Sequence, residues 1–117
     1  MKRNITISLI CTVFLASSVF ANPVQIMIPR LAAQKLYQAW HLKNRRAALK
    51  AADKEAVNKL FGARWRAMKF EGCSHRDEGG FECIYRDTKI DLSIAMIVDG
   101  GISAGGYNVV SVSFSSE

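Results

Sequence analysis

Residues that could carry out chemistry are concentrated in one stretch of this 117-residue chain. Cys73, His75 and Cys83 are possible zinc ligands, because thiolates and imidazole bind that metal. No fourth ligand is evident in the same stretch, so we predict no metal site. His75 also shares the stretch with Asp77 and Glu78, and a histidine beside a carboxylate can act in acid–base catalysis. No nucleophile lies close to them in the sequence, and we therefore predict no catalytic residue.

The rest of the chain lacks the short motifs that identify common enzymes. It contains no Gly-x-Ser-x-Gly, no His-Glu-x-x-His, no P-loop and no Cys-x-x-Cys. The glycine pairs Gly100-Gly101 and Gly105-Gly106 could approach a phosphate, but no predicted helix follows them to supply a favourable dipole. We predict no cofactor, and the sequence favours a binding protein over an enzyme.

The first 21 residues are typical of a secretory signal peptide. Two basic residues precede an uncharged apolar run from 5 to 20, and Val19 and Ala21 occupy the −3 and −1 positions of a cleavage site. That run is shorter than the roughly 20 residues that span a bilayer. No later apolar run is long enough to do so. We predict cleavage after Ala21 and a single domain, residues 22–117, in the periplasm or outside the cell.

Export decides how the cysteines are interpreted. Cys11 leaves with the signal peptide, so that Cys73 and Cys83 remain. An even pair of cysteines in an exported chain is typical of a disulfide. The bridge closes an 11-residue loop, which on the chain-entropy model contributes roughly 2.8 kcal/mol. We predict a Cys73–Cys83 disulfide.

The elements that position these residues begin with a helix. Pro29 suits the first turn of a helix, and Ala33, Leu36 and Trp40 recur at helical spacing. The apolar face of this helix is predicted to end near His41.

A second helical stretch follows a short break. Asn44 is a suitable N-cap. Asp53 either lies inside one long helix or caps a separate third helix, and the sequence leaves both open. The residues predicted on the apolar side of this stretch are Ala48, Leu49, Ala52, Ala56 and Leu60.

In the second half of the chain the apolar period changes to two. Alternation is clearest at 90–99 and recurs at 106–115, and the stretches 64–73 and 80–86 predict two more strands. Connections this short require antiparallel pairing. We predict an α+β fold, with two or three N-terminal helices packed on a four-stranded antiparallel β-meander. The register of the first hairpin is ambiguous, and Gly72 could host a bulge that switches faces.

Charge divides along the same boundary. Residues 22–70 contain 11 basic and two acidic side chains, whereas residues 71–117 contain three basic and eight acidic ones. The helical layer is therefore predicted to be basic and the sheet acidic. Four basic side chains fall within about 80° on a helical wheel if the second helical stretch is continuous. They are Lys43, Arg46, Lys50 and Lys54.

Two interpretations of these four side chains stay open. They form either a solvated surface that aids solubility or a patch that faces an anionic partner. Outside the cytoplasm the candidate anions are lipid head groups, envelope polymers or an acidic protein. Export disfavours nucleic acid.

Several short motifs occur in an order found in other small domains. Lys43-Asn44-Arg45 stands where such domains often have Gly-Asp-Arg, and Gly72-Cys73 is followed by Cys83. Because of these motifs and their order, the chain resembles the cystatin-like superfamily, which includes ketosteroid-isomerase-like and SnoaL-like domains. The resemblance implies N-terminal helices packed into a curved antiparallel sheet. The other matching segments are Ala39-Trp40, Ala56-Val57, Leu60-Phe61 and Val109 to Val112.

The resemblance implies no active site. The isomerases of this superfamily use an acidic general base and a Tyr/Asp oxyanion pair, and Tyr37, Asp91 and Asp99 match none of those positions. Asp91 and Asp99 alternate with apolar residues, so we expect both to face solvent. That environment does not raise the pKa of a carboxylate to suit a base.

Two function hypotheses follow from the sequence. The first is an exported, non-enzymatic binding or accessory domain of the bacterial cell envelope that presents its basic helical layer to an anionic partner. The alternative is a ligand-binding or catalytic domain with a pocket between the helices and the sheet. That pocket would involve Tyr37, Trp40 and Trp65.

Overall fold

Three helices precede four strands in the computed structural model, which describes residues 26–101 and 105–116. The strands follow one another in a single antiparallel sheet, in the order β1-β2-β3-β4. The predicted α+β fold, with helices N-terminal to a meander, is confirmed. The predicted signal peptide lies outside the described residues. The elements are α1 (Pro29–His41), α2 (Arg45–Leu49), α3 (Lys54–Phe61), β1 (Lys69–His75), β2 (Phe81–Asp87), β3 (Leu92–Gly101) and β4 (Gly106–Ser116).

The second helical stretch is two helices, which settles the choice left open by the sequence. Asn44 caps α2 as predicted, because its side chain accepts a hydrogen bond from the backbone N–H of Ala47 at 3.0 Å. The chain then leaves the helix to run beside β4. Val109 donates its N–H to the Ala51 carbonyl, and Asp53 donates its own to the Val109 carbonyl, each at 2.8 Å. Pairing with the sheet thus interrupts the helical hydrogen-bond pattern between residues 51 and 53.

Asp53 is the N-cap residue of α3, but its side chain does not cap that helix. The carboxylate instead accepts a hydrogen bond from the side-chain amide of Asn108 in β4. The acidic side chain therefore fastens the start of α3 to the sheet.

The prediction that Leu49 lies on the apolar side of the second helical stretch is wrong, because its side chain is 46% exposed. A continuous helix would have placed Leu49 beside Ala52 and Ala56. The helix ends at residue 49, so Ala48 faces the core while Leu49 faces solvent. Ala48, Ala52, Ala56 and Leu60 are buried as predicted.

The core lies between the helices and one face of the sheet. Leu36 of α1 and Val57 and Leu60 of α3 are 0% exposed. The sheet contributes alternate side chains to the same cluster, as its two-residue period predicts. These fully buried strand residues are Cys83, Ile94, Met96, Val98 and Val109.

The first hairpin contains a bulge at which Gly72 adopts a left-handed backbone conformation. The pairing shifts between Phe70 and Gly72, and Gly72 has φ of +104°, a conformation that L side chains rarely adopt. Beyond the bulge Cys73 lies directly opposite Cys83. The predicted disulfide between them is confirmed.

The first strand begins later than the sequence predicts. Pairing starts at Lys69 rather than at residue 64. The Tyr37 hydroxyl donates to the Arg66 carbonyl at 2.6 Å and accepts from the Met68 N–H at 2.8 Å. The segment before β1 is thus held by a side chain of α1.

Candidate functional site

The four basic side chains singled out in the sequence do not share one helix. Lys43 lies between α1 and α2 with φ of 55°, and Arg46 lies within α2. Lys50 is the C-cap of α2, and Lys54 begins α3. The stripe expected of a continuous helix is therefore replaced by a surface that spans two short helices and their flanks. All four side chains are exposed.

The whole helical layer carries unneutralised positive charge. Of the 11 basic side chains between residues 22 and 70, ten are exposed and have no carboxylate within 4 Å among the described residues. The exception is Arg66, which contacts Asp87 at 3.0 Å. Nine of the ten lie between residues 30 and 64, and the tenth, Lys69, belongs to β1. The acidic side chains of the chain are mostly on the sheet layer, so the helical layer presents a net positive field to solvent.

Two leucines are exposed within the same positive region. Leu42 is 61% exposed and Leu49 is 46% exposed. On α2, the spacing of about 100° per residue places Leu49 between Arg45 and Arg46, roughly opposite Ala47 and about 100° from Ala48. We name this region the 42–50 surface. It consists of Leu42, Lys43, Arg45, Arg46, Leu49 and Lys50.

The 42–50 surface combines two properties that fit one kind of contact. Its cations attract an anionic partner over distance, and its leucines gain free energy when they leave water. Single exposed apolar residues are common, and here two exposed leucines stand among four cations within nine residues, so the surface carries both apolar and positively charged side chains.

The three aromatic residues predicted for a pocket are brought together by the fold. The ring centroid of Tyr37 lies 5.8 Å from that of Trp40 and 5.9 Å from that of Trp65, distances typical of packed aromatic pairs. Tyr37 also stacks on Tyr85 at 4.1 Å. These rings pack against one another and fill the space between α1 and the sheet.

Each ring has a defined local role. The indole N–H of Trp40 donates to the Ala63 carbonyl at 3.1 Å. Burial raises the pKa of Tyr37, so its hydroxyl stays protonated in neutral solution and keeps its two backbone hydrogen bonds. Trp65 stacks on His41 at 4.0 Å, and its buried indole N–H has no acceptor among the described residues.

A cleft of about 460 Å³ opens at one end of the sheet. One wall is the segment that leads from Trp65 into β1, and the other is the end of β2 with the turn that follows it. Strand pairing joins the two walls, because Lys69 lies opposite Arg86. The charged side chains that line the cleft are Arg66, Lys69, Arg86, Asp87 and Lys89.

Asp87 is the acidic group of this cleft, and its carboxylate is fully engaged. One oxygen accepts from the Lys89 backbone N–H and the other from the Arg66 guanidinium, both at 3.0 Å. These two hydrogen bonds hold the pKa of Asp87 below its usual value, and the bond from the Lys89 backbone has the larger effect. The carboxylate is therefore ionised at neutral pH and neutralises Arg66.

The two lysines of the cleft are not neutralised by a carboxylate in the way that Arg66 is. Arg86 contacts Glu71 at 3.0 Å, whereas Lys69 and Lys89 are exposed and have no carboxylate within 4 Å in the described parts of the chain. The cleft therefore retains positive charge on both walls. Sequence reasoning missed it, because its walls lie about 20 residues apart and only the register of the first hairpin brings them together.

Asp91 and Asp99 are exposed, as predicted. Within residues 26–101 and 105–116, no three His, Cys, Asp or Glu side chains are grouped as metal ligands would be. In the same residues, no helix has the length and apolar character needed to span a membrane.

Comparison of the chain with protein-family models, curated proteins and solved structures finds no match in any of the three. The resemblance to cystatin-like domains therefore stays a prediction.

Proposed function

We propose that this protein is an exported, non-enzymatic binding or accessory domain of the cell envelope that contacts an anionic partner through its basic helical layer. The observation that carries this proposal is the set of nine exposed basic side chains between residues 30 and 64, none of which has a carboxylate within 4 Å among the described residues. The disulfide is compatible with export.

Among anionic partners, the 42–50 surface favours a lipid surface. Leu42 and Leu49 can enter the boundary between head groups and acyl chains while the neighbouring cations contact anionic head groups. An acidic protein or a charged polymer would satisfy the cations, but a polymer without apolar groups would leave both leucines in water.

The packing of the core between the helices and the sheet favours binding at the protein surface over binding in a pocket at that interface. Leu36, Val57, Leu60 and Met96 fill that interface and are fully buried. The aromatic rings of Tyr37 and Trp40 pack against each other in the adjoining part of the same interface.

Vesicle sedimentation tests the proposal. We expect the disulfide-bonded protein to associate with phosphatidylglycerol vesicles and much less with phosphatidylcholine vesicles. Association should fall between about 0.1 M and about 1 M salt, because the Debye length shrinks from about 10 Å to about 3 Å. Equal association with both vesicles, or none with the anionic ones, contradicts the lipid partner.

The leucines are tested by the double variant Leu42→Ser/Leu49→Ser. It keeps every charge, so its initial salt-dependent attraction to anionic vesicles is retained while its bound fraction falls, because less apolar area leaves water. An acidic protein bound through charge alone would be captured equally by this variant and by the unmodified protein.

A further inference from the structure

We propose that the cleft at the end of the sheet is a second binding site, specific for a small soluble phosphate monoester with an apolar or ring-shaped substituent. This site is separate from the 42–50 surface and does not depend on the partner of that surface. Its defining residues are Trp65, Lys69, Asp87 and Lys89.

The charge of the cleft selects an anion. Asp87 is occupied by Arg66 and by the Lys89 backbone, so its carboxylate is already committed within the wall. No carboxylate lies within 4 Å of the ammonium groups of Lys69 and Lys89 in the described residues, although the charge of Lys89 also helps to lower the pKa of Asp87. Two such groups facing one space match a phosphate monoester, which carries close to two negative charges at neutral pH.

The size and remaining lining of the cleft indicate more than a bare ion. About 460 Å³ lies within the range of sites that hold small organic ligands. Trp65 provides an aromatic wall that a ring or apolar group can contact.

The fold keeps the two walls in a fixed relation. Lys69 and Arg86 are paired across β1 and β2, and the Asp87 carboxylate ties the turn at Lys89 to its own strand. The Tyr37 hydroxyl holds the segment around Arg66 and Met68 against α1. Such a preformed site loses little conformational entropy when a ligand binds.

Three probe molecules separate the contribution of the phosphate charge to binding from that of the aromatic ring. Phenyl phosphate carries both groups, inorganic phosphate carries the charge alone, and phenol carries the ring alone. We expect phenyl phosphate to bind most tightly, with changes in Trp65 fluorescence and in the backbone amide NMR signals of Thr88 and Lys89. Trp40 is buried with 3% exposure, so it contributes little to a fluorescence change caused by direct contact.

Charge reversal gives the decisive comparison. Lys69→Glu/Lys89→Glu should weaken phenyl phosphate binding by about tenfold or more, because two attractive contacts become repulsive. Arg46→Glu/Lys50→Glu changes the net charge equally and should leave phenyl phosphate binding within about twofold. Equal binding by the Lys69/Lys89 variant, or no binding of phenyl phosphate to the unmodified protein, overturns the proposal.

The source of the phosphate is tested by the same variants with vesicles. A soluble ligand predicts that Lys69→Glu/Lys89→Glu loses phenyl phosphate but still associates with phosphatidylglycerol vesicles. Loss of vesicle association with phenyl phosphate binding retained would overturn the assignment to a soluble monoester.

Discussion

Replacing Leu60 with alanine should lower the free energy of unfolding by about 2–5 kcal/mol. Leu60 lies in α3 and is 0% exposed in the core between the helices and the sheet. The substitution removes buried apolar atoms and leaves a space that the surrounding side chains fill only in part. Urea denaturation followed by circular dichroism measures the loss.

Leu49→Ala is the matched control for this prediction. It makes the same chemical change, but at a side chain that is 46% exposed. We expect its effect on the free energy of unfolding to be about 0.5 kcal/mol or less. A loss at Leu49 as large as that at Leu60 would contradict the break between α2 and α3 that turns Leu49 to solvent.

Reducing the Cys73–Cys83 disulfide should lower the free energy of unfolding by roughly 3 kcal/mol. The bridge joins two residues paired across β1 and β2, with a sequence separation of 10. Its loss allows the unfolded chain more conformations while leaving the side chains otherwise unchanged. For a domain of this size, stabilities of about 5–15 kcal/mol are usual, so the reduction is a large part of the total.

Denaturation with and without a phosphine reductant gives this difference directly, and intact mass shows whether the two thiols have gained hydrogens. A double variant, Cys73→Ser/Cys83→Ala, serves as the control because reductant should not alter its stability. An unchanged unfolding midpoint in the reduced protein would show that the hairpin does not need the bridge.

Much of this architecture could be predicted from the sequence because each feature rests on local chemistry. The two-residue period of β3 and the N-cap at Asn44 depend on neighbouring residues alone, whereas the bulge at Gly72 was one option that the sequence left open. The disulfide followed from an even pair of cysteines. The sequence likewise indicated the uneven division of charge between the helical and sheet halves.

What the sequence left open or did not reveal depends on contacts between distant segments. The break before α3 arises because residues 51–53 pair with Val109 in the last strand. Without that pairing, Leu49 belongs to a continuous apolar stripe. The cleft requires the register that sets Lys69 opposite Arg86, and the apolar pattern of each strand alone does not specify that pairing.

The central claim, that the 42–50 surface binds an anionic surface, is tested most directly by the vesicle-bound fraction of two charge-reversal variants at low salt. Arg46→Glu/Lys50→Glu should lower vesicle partitioning by more than about tenfold, since each basic residue near an anionic membrane contributes about 1 kcal/mol. Lys69→Glu/Lys89→Glu changes the net charge by the same amount and should bind nearly as well as the unmodified protein. Equal losses in the two variants would show that net charge, rather than this surface, governs association, and no loss in the Arg46/Lys50 variant would contradict the account.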